Sequence, residues 1–243
     1  MIKRFERIEG RYIELIYGQE RLAYSRSDNA DFYDLVEWAE RGGYPGSKIT
    51  FYDFSNGKVY TPFPTRQDTV YSNPVYSEEW YYFLQGDYGV KKIALYRFRP
   101  ADAAEGVAKN AVATEETTKE AGHSAEYDIE TVACFDIEDV SLYNLRITGS
   151  PVYVFNQDGA VFNCIYPDRF SITLMPHQSV TFVEKDRVYI EEWIEEGWDD
   201  ENNCATENYR FYNKVIVKDF EGNTLSEEVG YLMPAPDGNY WMA

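Results

Sequence analysis

Two histidines, three cysteines and forty-two carboxylates are the side chains of this 243-residue chain best suited to proton transfer near neutral pH, thiol chemistry or metal ligation. His123 lies in a polar stretch and reads as solvated. His177 follows Pro176 in Leu174-Met-Pro-His-Gln178, at a strand end or in a loop. A histidine there becomes a proton-transfer group only if a carboxylate nearby sets its tautomer and charge. An enzyme would have to gather His177, an arginine such as Arg169 or Arg187, and carboxylates in one deep pocket. Cys134, Cys164 and Cys204 form no CxxC pair and have no metal-ligand spacing. Cys134 and Cys164 sit in apolar strand-like runs and read as buried thiols, whereas Cys204 lies in an acidic stretch and reads as exposed.

The densest run of carboxylates is Glu191, Glu192, Glu195, Glu196, Asp199, Asp200 and Glu201. Carboxylates suit Ca²⁺, but the D-x-D-x-D-G spacing is missing, and like charges this dense normally face water. A carboxylate pair can also hydrolyse a glycoside, yet so acidic a chain always offers some pair. There is no Gly-x-Ser-x-Gly elbow and no Gly-rich phosphate loop. The residues therefore assign no catalytic group, no metal and no cofactor.

Aromatic side chains are the stronger lead. They make up 17% of the chain, with 22 Tyr and 14 Phe. Tyr and Trp carry a large ring and a polar tip, so on a surface they stack on sugar faces or anchor a protein partner. Trp80, Tyr81, Tyr82, Trp193, Trp198 and Trp241 are the candidates, of which Trp80 to Tyr82 read as packing residues. Trp198 and Trp241 lie in irregular, polar surroundings and, with His177, are the expected ligand-binding residues. The net charge of −19 repels phosphate backbones and anionic bilayers. The expected partner is a protein or a saccharide, with no nucleic acid and no membrane. The opening Met-Ile-Lys-Arg-Phe-Glu-Arg is followed by no apolar run, and nothing approaches the roughly eighteen apolar residues of a membrane span. A soluble, cytoplasmic protein is expected.

The elements that would position these residues are mostly strands. An aromatic or β-branched run, an Asp or Asn, a Gly turn and a second run recur three times: Ile49 to Tyr60 around Gly57, Val152 to Phe162 around Gly159, and Val215 to Leu225 around Gly222. Residues 4–26 hold two strands about a Gly18-Gln-Glu20 turn. Residues 29–43 predict the one short helix, capped by Asn29 and ended by Gly42-Gly43, with Phe32, Leu35, Val36 and Ala39 on one face. Lys48 to Arg99 reads as one four-stranded sheet. Residues 101–126 lose all aromatic side chains and read as a polar insert. Strands resume over 131–137, 140–148, 152–155, 161–166, 170–174, 180–183 and 188–194. Gly197 to Glu207 is expected to be a long hairpin loop, and Gly222 to Ala243 an irregular closing segment.

Four strands per unit at a spacing of about 40–50 residues is what a propeller blade requires. The predicted fold class is all-β, a small β-propeller of about five blades built as a single domain over 1–243. The stretch Ser72-Asn-Pro-Val-Tyr-Ser-Glu-Glu-Trp-Tyr-Tyr-Phe-Leu84 resembles the repeat of TolB-like and related β-propellers. Lys91 to Tyr96 and Ile49 to Asp53 are similar to neighbouring strands of such blades. Glu78-Glu79 stands where that family has a Pro-Asp-Gly turn. The resemblance implies an architecture and no particular activity, because such propellers serve both binding and catalysis. The leading expectation is a non-catalytic binding module with an acidic, aromatic surface. The alternative is a carbohydrate-active enzyme, a propeller-type lyase or glycoside hydrolase.

Overall fold

A computed structural model describes residues 2–101 and 126–243. The chain forms two compact units, Met1–Leu142 and Tyr143–Ala243. Both are built from antiparallel sheets, several of them four-stranded. Among the described residues, no helix is long and apolar enough to cross a membrane.

In the Met1–Leu142 unit, the first sheet runs in chain order through β1 (Glu14–Leu15), β2 (Leu22–Arg26), β3 (Ile49–Asp53) and β4 (Val59–Tyr60). The second has the order β5 (Thr69–Tyr71), β7 (Trp80–Asp87), β8 (Lys92–Pro100), β9 (Tyr127–Asp136), with β6 (Val75–Ser77) also paired to β7. Lys48 to Arg99 is therefore not one sheet. Ile49 to Tyr60 pairs backwards with β2, Tyr24 opposite Phe51, and the prolines at 62 and 64 carry the chain across to the second sheet. One aromatic cluster joins the two, with Leu22, Tyr24, Phe51 and Tyr60 from the first and Tyr71, Phe83 and Phe98 from the second. The β6–β7 turn is Glu78-Glu79, both at positive φ (50° and 66°), the backbone sign pattern of a two-residue type I′ hairpin.

The predicted helix is α1, Phe32–Glu40. Its cap is Asp31 rather than Asn29. The Asp31 carboxylate accepts the Tyr33 and Asp34 amides at 2.8 and 2.9 Å, and Asp34 accepts the Asp31 amide in return. Asn29 stands too far ahead to reach those amides. Phe32 and Leu35 are buried, and Phe32 packs so closely on β7 that a Cβ at Gly86 would lie 2.8 Å from its ring. That contact accounts for a glycine inside a buried strand.

The polar insert expected at 101–126 lies outside the described residues except at its ends. There Pro100 pairs with Tyr127, and the Ala101 amide donates to the Glu126 carbonyl at 2.9 Å. The segment thus leaves from and returns to one hairpin. The division between units falls later, after Leu142. The strand predicted over 131–137 begins earlier, at Tyr127, and ends in a 3-10 turn at Ile137–Asp139; that predicted over 140–148 shrinks to Arg146–Thr148.

In the Tyr143–Ala243 unit, β10 (Arg146–Thr148), β11 (Tyr153–Asp158), β12 (Val161–Tyr166) and β13 (Phe170–Thr173) form one four-stranded sheet in chain order. β14 (Gln178–Glu184), β15 (Arg187–Asp199), β16 (Cys204–Asp219) and β17 (Thr224–Val229) form the next, and β18 (Leu232–Pro234) pairs with β19 (Tyr240–Met242). Phe155, Phe162, Cys164 and Ile172 of the first pack with Val180, Val188, Ile190 and Ile216 of the second. The closing segment is therefore stranded, not irregular. Its Gly222 and Gly230, both at positive φ, are turns between strands.

The three predicted hairpins are β3–β4, β11–β12 and β16–β17. In the first, the Asp53 carboxylate accepts the Ser55 amide at 2.8 Å while its carbonyl accepts the Gly57 amide. In the third, Asp219 does the same for Glu221 and Gly222. A short carboxylate holding the next amides, followed by a glycine at positive φ, closes both of these turns.

Cys164 is buried as expected and Cys204 exposed, but Cys134 is exposed. It lies on the outer strand β9, whose described burial is concentrated at Ile129. Burial pushes the Cys164 thiol up to about 12, so at pH 8 it carries almost no reactive thiolate. A maleimide reagent is expected to label Cys134 and Cys204 in the native protein, and Cys164 only after denaturant is added. Mass spectrometry of the labelled peptides checks this; rapid native labelling at Cys164 would contradict it.

Candidate functional site

The longest of the described strands, β15 and β16, outrun their neighbours. The last β14 partner on β15 is Glu192, opposite Gln178, and the last β17 partner on β16 is Lys214, opposite Val229. Beyond those positions the two strands continue together from Trp193 opposite Asn213 to Asp199 opposite Cys204. The expected loop at 197–207 is thus strand on both sides. Only 200–203 turn, closed by the Asp199 carboxylate accepting the Glu201 and Asn202 amides at 3.0 and 3.1 Å.

A two-stranded ribbon is marginal in water by itself. This one is rooted in a four-stranded sheet and carries aromatic side chains on both strands. Pairing alternates sides, so Trp193 and Glu195 of β15 share a face with Asn213 and Phe211 of β16. A bulge at Gly197 (φ 75°) changes the register near the tip. A Cβ there would stand 2.6 Å from the Asn208 carbonyl oxygen.

The rings on this face form a ladder. His177 lies 6.2 Å from Trp193, Trp193 6.5 Å from Phe211, Phe211 6.4 Å from Tyr209, and Tyr209 5.8 Å from Trp198. Successive planes are inclined by 69°, 42°, 51° and 64°, so the rings make no flat platform. Trp193, Phe211 and Trp198 are 42%, 64% and 41% exposed. The Tyr209 hydroxyl donates to Glu195 at 2.6 Å. That bond to a carboxylate, with a smaller contribution from burial, raises the Tyr209 pKa above its ordinary value.

The opposite face is charge-compensated. Glu196 accepts from Arg210 at 2.5 Å and from the Tyr212 hydroxyl at 3.0 Å, and these bonds hold its carboxyl below the usual range. At the root, Glu191 accepts the Thr181 hydroxyl and the Leu232 amide at 2.9 and 2.7 Å. Tyr240 stacks on Phe182 at 4.0 Å, and Phe182 on Tyr189 at 4.2 Å. These contacts pin the β18–β19 hairpin onto the sheet next to the ladder.

Of the three candidate ligand residues, His177 and Trp198 lie at the two ends of the ladder. Trp241 sits on the pinned hairpin, 61% exposed. Its neighbour Tyr240 faces the sheet, so strand alternation turns Trp241 away from it. Phe211 and Tyr209 complete the ladder and are not apparent from composition. Their i, i+2 spacing is the available signal, but reading Gly197 to Glu207 as loop hides which ring faces Trp193. Trp80, Tyr81 and Tyr82 are buried, with the Arg97 and Arg99 guanidiniums 4.3 and 4.1 Å from the Trp80 ring centre.

The groups an enzyme would have to bring together are spread out. His177 precedes β14 and Arg187 follows it, so a seven-residue strand lies between them, about 20 Å at roughly 3.3 Å per residue. Arg169 lies in the turn leading into β13. Among the described residues, no three His, Cys, Asp or Glu side chains group as a metal cage. No protein-family model, curated protein or solved structure matches the chain.

Proposed function

We propose that the chain is a non-catalytic binding module that recognises a protein or saccharide through the aromatic, acidic face of the β15–β16 ribbon. The ladder from His177 to Trp198 is the observation that carries this reading. Burying large rings is the main source of packing energy in a β-protein. Exposed rings adjoining one another along a ribbon that outruns its sheet therefore need a reason other than the fold. Contiguous exposed apolar surface rimmed by polar groups is characteristic of interaction sites, and Trp and Tyr dominate the residues that carry binding energy there.

The architecture belongs to the same proposal: a single TolB-like propeller domain over 1–243 with about five blades. Three four-stranded sheets that run up and down in chain order, and apolar cores that join sheets within each unit, support it.

Glycan and peptide arrays probed with the full chain and with Phe211→Ser test the function. Phe211 is exposed, so the serine variant is expected to keep the native urea midpoint while losing its array ligands by about tenfold, the loss of one well-placed aromatic contact. Ligands held equally by both proteins would move the binding surface elsewhere, and the absence of any ligand would end the reading.

A further inference from the structure

We infer that the occupant of the ladder is an extended, cationic segment of another protein, its Lys and Arg stems lying across the rings and their charged heads on the flanking carboxylates. This rests on the binding-module reading above and names its partner.

Charge comes first. The basic side chains of the ribbon are already engaged within the chain. Arg210 pairs with Glu196 at 2.5 Å, and Lys214 with Glu227 at 3.0 Å and Glu192 at 3.7 Å. Among the described residues, Glu195, Asp200, Glu201 and Glu207 form no ion pair with a basic side chain. They leave the ladder side and tip of the ribbon negative on a chain that is itself at −19. A second copy of the ribbon would set these charges against their own kind, and a nucleic acid would set phosphates against them. A cationic partner gains from them.

Ring orientation comes next. A neutral sugar stacks best on a flat face, whereas successive rings here are inclined by 42° to 69°. A flexible alkyl stem can follow such a surface while its cation stays at the carboxylate rim, and exposed rings attract cations by their quadrupoles. Spacing points the same way. Alternate side chains of an extended peptide stand about 6.5–7 Å apart, close to the 5.8–6.5 Å steps of the ladder. The ribbon edges also leave room for such a segment: β14 and β17 pair no further than Glu192 and Lys214, and past the Trp193–His177 and Gly230–Asn213 backbone bonds no described strand pairs with either edge. An extended chain can hydrogen-bond to an open strand edge.

The test is a titration of the full chain, followed by Trp fluorescence, with an alternating Lys-Thr octapeptide, the same peptide with Glu for Lys, and a neutral β-linked glucose hexamer. The Lys-Thr peptide is expected to bind and to weaken about tenfold both in Phe211→Ser and in the triple variant Glu195→Gln, Glu201→Gln, Glu207→Gln, while Asp237→Asn, outside the ribbon, changes little. The Glu peptide is expected not to bind. Unchanged urea midpoints establish that each variant is folded. Phe211→Ser removes no charge, so its effect separates the ladder from general attraction to an acidic protein. Equal loss in Asp237→Asn, or no loss in Phe211→Ser, would overturn the inference. Ladder-dependent binding of the glucose hexamer without the Lys-Thr peptide would overturn the cationic partner and leave the binding module standing. A ladder that binds none of the three probes would overturn the cationic segment, and the array experiment would then decide the binding module.

Discussion

Replacing Phe51 by Ala is expected to lower the stability of the Met1–Leu142 unit by about 3–5 kcal/mol, the usual cost of removing a buried Phe ring. Phe51 lies in the middle of β3 with no exposed surface. Its ring stacks on Phe98 of the second sheet at 4.6 Å and 9°, and meets Phe83 at 5.7 Å and Tyr81 at 6.2 Å. It therefore joins two sheets rather than filling one, and its loss exposes contacts on both. Large neighbouring rings collapse poorly into a hole, since each is already held by others: Phe98 by Tyr60 and Tyr127, Phe83 by Phe63 and Tyr96. Phe51→Leu retains most of the volume and is expected to fall between wild type and Ala. Urea unfolding followed by amide exchange in β3 and β8 reads the effect within this unit. A change under about 1 kcal/mol, far below the usual range for such a deletion, would mean that the aromatic core repacks freely.

Gly46→Ala is expected to cost about 4–5 kcal/mol, combining backbone strain with lost hydrogen bonds. Gly46 has φ 98°, which an L side chain resists, and a Cβ would lie 1.8 Å from the Arg66 carbonyl oxygen. That oxygen belongs to backbone and cannot swing aside. The two segments are fastened on either side of the contact. The Asp68 amide donates to Tyr44 and the Ser47 amide to Thr69, at 2.8 and 2.7 Å, and the Tyr44 amide donates to the Asp68 carboxylate at 2.6 Å. Relief of the clash must stretch these bonds. Gly42 is the comparison: its φ is 122°, but a Cβ there would meet nothing within 4 Å. Gly42→Ala should therefore show only the conformational cost, about 1–3 kcal/mol. Equal costs at the two positions would mean that the Arg66 contact is not what requires Gly46. Exchange of the Ser47 and Asp68 amides, accelerated in Gly46→Ala alone, locates the damage.

Hairpin turns are local chemistry. Asp53 and Asp219 hold amides two residues on, and Gly57 and Gly222 take positive φ, so the turns are legible as a short pattern. The helix is legible for the same reason, with an error of two residues at its cap. Alternation of apolar and aromatic residues also marks strands, but not which strands share a sheet. Ile49 to Tyr60 could pair forwards or backwards, and only packing with β2 decided it.

The site was partly legible in the same way. Trp198 and His177 stand out by type and setting, and both belong to the ladder. Phe211 and Tyr209 do not stand out, because their place beside Trp193 depends on cross-strand register over a stretch that looks like loop. Acidic, polar composition there suggested solvation, and no residue of either strand is buried there. What composition does not convey is that two exposed strands can stay paired when rooted in a larger sheet. The sequence by itself determined an aromatic, strongly acidic β-protein punctuated by Asp and Gly turns, because those properties are set residue by residue or within a few neighbours. Sheet membership, the reach of β15 and β16 past their partners, and the alignment of rings from both strands were decided by tertiary structure, since pairing and burial join residues that are distant in the chain.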